Sequence, residues 1–238
     1  MLKKWICISG FALVFASHVW TLDLSFGLET GYSYNMLNTS TGYRTFTSYE
    51  NRGGFMFGIP VLVSFNDSFA LGSGLRYIQK NYRYERNFIN DGFSIYSDFT
   101  NGFLQMPVFA DYSLGRNNWR VFVNMGTTLG FWMHSSRKGQ WMGISQNPFD
   151  LNYVQLETFS ERVEFDETRD RRFESTLFTG LGFRYTIDSF TPFMSIQYNY
   201  GLTDLQKNYM TRQVARYNNT VTVQLGVLFN PSVFRSSR

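Results

Sequence analysis

Cysteine and histidine are nearly missing from this sequence of 238 residues, which contains one cysteine and two histidines. Cys7 lies in an apolar run at the start of the chain, and His18 lies just beyond that run. If this part is removed on export, no thiol remains, which excludes disulfides, thiol chemistry and cysteine-based metal sites. His134 is the only histidine outside the export region, because His18 lies at the predicted cleavage site, and one histidine is too few for a nitrogen-ligated metal centre. We therefore expect no cofactor.

Long apolar runs are missing as well, apart from one at the start of the chain. Lys3 and Lys4 precede the mostly apolar residues 5–16, and small residues follow. This run is too short to cross a bilayer as a helix, and its charge, length and flanks are typical of a secretory signal peptide. We predict a signal peptide over residues 1–17; the alternative is an N-terminal segment buried in a core.

Charge is sparse and nearly balanced. Charged residues make up 17% of the chain, with 22 Lys and Arg against 18 Asp and Glu. Removing Lys3 and Lys4 with the signal peptide leaves 20 basic and 18 acidic residues, a net charge of +2. The basic residues do not cluster with interleaved aromatic residues, so we expect no nucleic-acid partner.

Aromatic residues are abundant, at 19% of the chain, and apolar residues alternate with polar ones. In the stretch Trp119–His134 the odd positions are mostly bulky and apolar, whereas the even positions are mostly polar or glycine. A period of two indicates a β-strand with different surroundings on its two faces. Further segments with this alternation bring the predicted total to eight strands; they begin near Leu22, Phe55, Phe69, Leu104, Leu177, Met194 and Val221.

The connections between these segments differ in length in a regular way. The short ones cover 66–68, 114–118 and 187–189, and the long polar ones lie near 37–51, 86–97, 135–170 and 203–216. Successive connections of an up-and-down barrel emerge at opposite ends, so all short turns lie at one end and all long loops at the other. Outer-membrane barrels have this asymmetry, with short periplasmic turns and longer extracellular loops.

The width of such a barrel decides which face of each strand points inward. The lumen of an eight-stranded barrel is only just wide enough for side chains to fill it. Glycines such as Gly72, Gly126 and Gly180 lie on the polar face, whereas bulky residues crowd the other face, which must therefore point outward into lipid. We predict an all-β fold, an eight-stranded antiparallel up-and-down transmembrane β-barrel, over residues 18–229, followed by a short tail over 230–238. The alternative is a soluble lipocalin-like barrel with the faces reversed.

Two hairpin segments and one later strand carry a family resemblance. The segments "FGIPVLVSFNDSFALGSGLRYIQKNY" and "LQMPVFADYSLGRNNWRVFVNMGTTLGF" resemble the paired hairpins of the PorT-like outer-membrane β-barrel family of Bacteroidota. The stretch "TPFMSIQYNYGLTDL" is similar to the penultimate strand of that family. The resemblance implies a small eight-stranded barrel in the outer membrane and says little about activity. It does not extend to the secretion component that gives the family its name.

Several charged residues fall on the inward face of the predicted strands. They are Glu29, Arg76, Lys80, Asp111, Arg120 and Arg184. Buried charges are costly unless they are paired and hydrogen-bonded. We expect Asp111 to face Arg120 across the 114–118 turn, and Glu29 to pair with Arg76 or Arg184. These pairs predict a packed polar lumen; the alternative is a narrow ion path.

A catalytic role is the least supported by the sequence. His134 and Ser136 have the His-x-Ser spacing of one lipid A deacylase family, but their parity places them on the inward face or in a loop. The spacing supplies no acidic partner for this pair. We therefore predict that the chain is not an enzyme.

The long segment 135–170 is the best candidate for specific binding, because a loop of this length is usually functional or mobile. It combines aromatic residues with charges of both signs, and the binding candidates are Trp141, Phe149, Tyr153, Arg162 and Asp166. The stretch "VQLETFSERVEF" still alternates, which predicts strands that extend above the membrane. The partner would be a protein, a polysaccharide or a host molecule; the alternative is a variable solvated loop.

These observations predict an integral outer-membrane barrel, surrounded by outer-membrane lipid, with a structural, binding or accessory role. A small channel and a lipid-modifying enzyme are the alternatives.

Overall fold

The computed structural model describes residues 23–39, 47–87, 94–144, 154–208, 210 and 214–231. The predicted signal peptide lies outside the described residues, as do residues 232–238 of the predicted tail. Within the described ranges, no helix is long and apolar enough to cross a membrane.

The described residues form ten strands in a single antiparallel sheet. In chain order they are β1 (Asp23–Thr39), β2 (Thr47–Ser64), β3 (Phe69–Gln79), β4 (Tyr82–Asn87), β5 (Ser94–Arg116), β6 (Trp119–Ile144), β7 (Val154–Val163), β8 (Phe173–Tyr185), β9 (Phe190–Gly201) and β10 (Arg216–Phe229).

Eight of these strands close into a ring in the order β1, β2, β3, β5, β6, β8, β9 and β10, with β10 paired to β1. The other two strands extend the ring at one end. After a break at Lys80 and Asn81, β4 takes over from β3 and pairs with both β2 and β5. The strand β7 folds back against the upper part of β6. The predicted eight-stranded antiparallel barrel is therefore confirmed.

The three short turns lie together at one end of the ring, which we call the turn end. Asn117 and Asp188 adopt positive φ angles of 58° and 48° there, a conformation that Asn and Asp tolerate better than most residues. In the first turn the Asn66 side chain accepts hydrogen bonds from the backbone N–H groups of Ser68 and Phe69. Local turn chemistry thus explains why these connections are short.

Strands at the opposite end, which we call the loop end, are longer than the sequence analysis predicts. Much of the predicted loop 135–170 is a hairpin, because β6 continues to Ile144 and β7 pairs with it from Val154. The predicted loop 37–51 is likewise shortened by β1 and β2, which extend to Thr39 and begin at Thr47. Backbone pairing continues beyond the apolar stretches because a ladder of hydrogen bonds needs no apolar face. The alternation of "VQLETFSERVEF" did predict this extension.

The outward face of the ring is a continuous apolar surface, as predicted. Leu28, Trp119 and Met125 are 70%, 61% and 60% exposed, although each lies within a regular strand. We call this surface the apolar belt; it covers residues 24–34, 55–65, 69–77, 104–114, 119–133, 173–185, 190–202 and 221–229. Most of these stretches match the nine to eleven or so residues that a tilted strand needs to cross a bilayer.

Aromatic pairs mark the turn-end edge of the apolar belt. The ring centroids of Trp119 and Tyr185 are 4.6 Å apart, and those of Phe190 and Phe229 are 5.4 Å apart. Such amphipathic or bulky rings are typical of the two interfaces of a membrane barrel.

Glycines on the inward face are required by close packing in the lumen. A Cβ atom built on Gly72 lies 2.1 Å from the ring of Phe109, and one built on Gly180 lies 2.4 Å from Asn124 Oδ1. Real Cβ atoms do not approach other atoms so closely. On the inward face, glycines therefore alternate with larger side chains, and these fill the space next to each glycine.

The apolar belt predicts a depth-dependent cost for a charge on the outward face. Val108 lies midway along the β5 stretch of the belt, and Leu114 lies near its turn-end edge. We expect Val108→Arg to lower the free energy of unfolding in lipid vesicles by about 2–4 kcal/mol and Leu114→Arg by about 0–1 kcal/mol. Denaturant titration of the folded variants measures both values. Equal costs at the two positions would show that the outward face does not sit in a bilayer.

Candidate functional site

The lumen is the candidate site that the sequence singled out, and its contents change along the barrel axis. Moving along β3 from the turn end to the loop end, the inward side chains are Ala70, Arg76 and Ile78, followed by Lys80 just beyond the strand. Apolar and charged layers therefore alternate. The prediction was a packed polar lumen, and the structure adds apolar layers to it.

Glu29 and Arg76 form the central charged layer. Arg76 Nε donates to Glu29 Oε1 at 2.8 Å, and Arg76 Nη1 donates to Gln197 Oε1 at 2.9 Å. Gln224 Nε2 also donates to Gln197 Oε1 at 2.9 Å, which connects β10 to the same network. Both charged side chains are buried, so the arrangement satisfies the requirement that buried charges be paired and hydrogen-bonded. Of the two predicted partners of Glu29, the structure selects Arg76.

Asp111 pairs with Arg184 instead of Arg120, so the predicted pair across the 114–118 turn is wrong. Arg184 Nη2 donates to Asp111 Oδ2 at 2.6 Å, and the guanidinium lies 4.1 Å from the centre of the Phe122 ring. Arg120 lies at the turn end, where it donates to the backbone oxygen of Asp67 and stands 3.5 Å from its carboxylate. The predicted pair does not form because of the register between β5 and β6. In this register Gly115 lies opposite Arg120, and Asn124 lies opposite Asp111.

Lys80 pairs with Glu174, a residue that the sequence analysis missed. Lys80 Nζ lies 2.6 Å from Glu174 Oε2, and both side chains are 1% exposed. Asn218 donates to the other carboxylate oxygen at 3.0 Å. The sequence did indicate that Glu174 points inward, because it shares the parity of the inward Gly180 and Gly182. The predicted strand began at Leu177, which left Glu174 outside the alternating stretch.

Two apolar clusters fill the lumen on either side of the central charged layer. The lower cluster, near the turn end, contains Leu62, Ala70 and Leu228 packed with Phe109 and Phe193. The upper cluster, near the loop end, contains Leu37, Met56, Ile78, Tyr82, Phe103 and Leu205 packed with Tyr49, Phe99 and Trp132. Apart from Tyr49 and Leu205, these residues share the parity of the inward face of their strands, and only the closed ring brings them into contact.

The lumen is closed in its middle. A cavity beside the Glu29–Arg76 and Asp111–Arg184 pairs has a volume of about 40 Å³, which leaves space for only a few water molecules. Wider cavities open at the two ends, with volumes of about 260 Å³ at the turn end and about 230 Å³ at the loop end. The ends are therefore wet and the centre is packed.

A bulge between β5 and β6 reverses the predicted orientation of His134. The register shifts so that Gly102 faces His134 and Phe103 faces Trp132, which leaves Met133 as the extra residue. His134 consequently points outward, where its Nε2 atom lies 2.9 Å from the Tyr77 hydroxyl. Among the described residues, no hydrogen bond connects His134 with Ser136. The prediction that the pair faces inward is wrong, and the geometry assembles no nucleophile–base pair from it.

An ionic cluster outside the apolar belt connects β2, β4 and β5. Asp98 Oδ1 lies 2.6 Å from Arg83 Nε and 2.9 Å from Arg52 Nη1. Burial raises the pKa of Asp98, but the hydrogen bond from Arg83 and the charges of Arg52, Arg83 and Lys138 outweigh it and hold that pKa below its usual value. The cluster fastens β4, the strand that continues the ring above the membrane.

The three described binding candidates of the segment 135–170 lie on three different elements: β6, β7 and the connection that follows β7. Trp141 is 56% exposed on β6, and Arg162 is exposed on β7. Asp166 accepts hydrogen bonds from the backbone N–H and the hydroxyl of Thr168, which lower its pKa. Phe149 and Tyr153 lie outside the described residues.

The described part of the chain shows no group of three or more metal-ligating side chains.

A closed antiparallel ring with an outward apolar belt and a packed lumen defines a membrane-spanning β-barrel. Residues 15–207 match the family model described as outer membrane protein β-barrel domain. The chain belongs to this family, and it is an outer-membrane protein. A comparison with curated proteins finds no match.

Solved structures of outer-membrane proteins have a similar fold. OprG from Pseudomonas aeruginosa is 12% identical, with 88% of this chain and 94% of that chain covered and a TM-score of 0.45. Neisserial surface protein A is 14% identical, with coverages of 86% and 96% and a TM-score of 0.41. The outer-membrane protease OmpT from Escherichia coli is 9% identical, with coverages of 90% and 99% and a TM-score of 0.47. At these identities the likeness concerns the fold alone.

The Glu29–Arg76 pair predicts a strong asymmetry between single and double substitutions. Arg76→Leu leaves the buried Glu29 carboxylate without its cation, so we expect the free energy of unfolding to fall by about 3–5 kcal/mol. Replacing both residues by leucine should recover most of this loss. The exposed pair Arg137–Glu161 supplies the control, since Glu161→Gln should cost less than about 1 kcal/mol. Denaturant unfolding of the detergent-folded wild type and of these three variants measures the values, and a double variant that loses at least as much stability as Arg76→Leu would contradict the pairing.

The Asp98 cluster predicts a loss of stability in acid. Because the pKa of Asp98 is lowered in the folded state, its ion pairs stabilise the fold at neutral pH, and this contribution disappears as the pH falls below about 4 through the folded-state pKa. We expect wild type to be more stable than Asp98→Asn at pH 7, and the difference to shrink as the pH falls below about 4. Unfolding midpoints of both chains across this range test it. A difference that does not change with pH would exclude Asp98 as the titrating group.

Proposed function

We propose that this protein is a non-conducting outer-membrane barrel with an accessory or binding role, and that its β6–β7 hairpin binds a partner protein. The observation that carries the proposal is the unpaired outer edge of β7. Among the described residues, β7 pairs with β6 alone, and no strand pairs with its other edge.

An unpaired strand edge presents a row of backbone N–H and C=O groups that an extended segment of another protein can pair with. β7 is ten residues long and projects at the loop end, which faces the cell exterior in barrels of this kind. The hairpin also exposes Trp141 and Leu156, together with the charged residues Glu161 and Arg162. Main-chain pairing would supply affinity, and these side chains would supply specificity.

The closed lumen supports a binding role over transport. Solute channels through barrels require about 16 strands, whereas this ring has eight. The cavity of about 40 Å³ at its centre is enclosed by two ion pairs and by side chains of the lower cluster. A path for solute would require all three charged pairs and both apolar clusters to separate.

Two further parts of the proposal, the accessory role and the cleaved signal peptide, rest on the sequence. The resemblance to the PorT-like family supports a small accessory barrel without supplying its partner. Export would require cleavage of the signal peptide that we propose over residues 1–17.

Shortening the hairpin tests the proposal. Lys138 and Ser160 face each other across the hairpin, so residues 139–159 can be replaced by an Asn-Gly turn without removing the base of β6 or β7. We expect the tagged wild-type chain, extracted from outer membranes at native expression, to copurify with a stoichiometric protein partner, and the shortened chain to lose it. A chain with residues 40–46 replaced by seven Gly and Ser residues is the control and should keep the partner.

Two outcomes would contradict the proposal. One is a wild-type chain that is recovered alone, or with a partner that the shortened chain retains. The other is a steady single-channel conductance of the wild-type chain in a planar bilayer, which would show that the lumen conducts.

A further inference from the structure

The loop end of the lumen contains a half-open cavity of about 230 Å³ above the upper cluster, which we call the mouth cavity. Its aromatic lining consists of Tyr82, Phe99 and Trp132. The rings of Tyr82 and Phe99 stack with centroids 4.8 Å apart, and Trp132 stacks on Phe103 at 5.7 Å. The aromatic side chains are therefore held in place by packing beneath them. A rigid aromatic lining in a water-accessible cavity is the usual basis for binding a small ring.

Arginines from three separate elements line the same cavity: Arg137 of β6, Arg169 of the connection before β8, and Arg216 of β10. Arg137 is engaged by Glu161, and Arg169 Nε donates to Asp170 Oδ1 at 2.9 Å. Arg216 differs from both. Its Nε atom is buried and has no hydrogen-bond partner among the described residues. Among the described residues the Arg216 guanidinium makes no ion pair and no hydrogen bond, so it is a ready partner for a carboxylate, sulfate or phosphate oxygen that enters the cavity.

The remaining lining suits an anion with hydroxyl groups. Asp170 is the one carboxylate among the described lining residues, and it is already occupied by Arg169. Burial raises the pKa of Tyr82 to about 12, so its hydroxyl stays neutral and does not repel an anion. Ser135 and Gln206 add neutral hydrogen-bonding groups to the wall. The cavity thus combines an aromatic surface, an available cation and neutral polar groups.

We propose that the mouth cavity binds an acidic sugar residue, with the sugar ring on the Phe99 and Trp132 side chains and its carboxylate on Arg216. The volume fits a single sugar ring, and the ring hydroxyls meet Ser135 and Gln206. The location at the exterior end of the barrel makes the site accessible to free sugar acids and to acidic residues of surface polysaccharides. The site lies below the part of the hairpin that carries the proposed protein contact and does not depend on it.

Binding of D-glucuronate to the full chain folded in detergent tests the proposal. Trp132 lines the cavity, so its fluorescence reports occupancy. We expect glucuronate to produce a saturable change and D-glucose, which lacks the carboxylate, to bind at least about tenfold more weakly. A glucuronate-containing oligosaccharide that binds more tightly than the monosaccharide identifies a polysaccharide as the source, whereas equal affinity identifies the free sugar acid.

Substitutions locate the site. We expect Arg216→Gln to weaken glucuronate binding by about tenfold or more, because one charge-assisted contact is lost. Phe99→Leu should also weaken it while leaving Trp132 in place as the reporter. Arg116→Gln removes an exposed positive charge at the turn end of β5, outside the cavity, and should leave glucuronate binding unchanged. Circular dichroism confirms that each variant is folded.

Three results would overturn the proposal: equal binding of glucose and glucuronate, unchanged binding by folded Arg216→Gln, or benzoate binding as tightly as glucuronate. Equal binding of benzoate would show that the cavity binds cyclic carboxylates in general and does not select sugars. The chain with the shortened hairpin retains Arg137, Trp132 and Arg216, so it should bind glucuronate like wild type. Failure of the protein-partner proposal is therefore distinguishable from failure of this one.

Discussion

The narrow interior of an eight-stranded ring is the constraint on which the rest of this structure depends. A ring of this size leaves space for side chains and little else. Glycines such as Gly72 and Gly180 let larger inward neighbours fit, and most of the bulky apolar residues are left to the outward face. That arrangement requires a bilayer around the barrel. Localisation in the outer membrane is thus a consequence of packing as much as of family membership.

Because the interior is narrow, the charged side chains in the lumen have a structural role. Glu29–Arg76, Lys80–Glu174 and Asp111–Arg184 each join strands that are distant in sequence, and each pair is shielded from bulk water by apolar neighbours. Buried ion pairs of this kind add little to the net stability of the fold, but removing one partner of a pair is strongly destabilising. Their contribution is to close the lumen with one defined set of partners, which argues against transport.

Closure of the lumen leaves the loop end as the place where this protein can meet other molecules. Two features there have different chemistry. The β6–β7 hairpin offers backbone groups along the edge of β7, which suit an extended protein segment. The mouth cavity offers aromatic rings and the Arg216 guanidinium, which has no ion pair among the described residues, and these groups suit a small acidic ring. Both rest on strands that continue beyond the apolar belt.

The sequence by itself determined the ring of eight strands, the outward direction of the bulky face and the end at which the short turns lie. These properties depend on the period of two, on connection length and on the width of the ring, all of which are local or follow from a strand count. Only the tertiary structure decided that Asp111 meets Arg184, that Glu174 meets Lys80 and that His134 faces outward. Those contacts depend on the stagger between strands and on one bulge at Gly102 and Phe103. The two-residue period of the sequence specifies neither the stagger nor the bulge. Both matter because a shift of one residue reverses the face of every side chain beyond it.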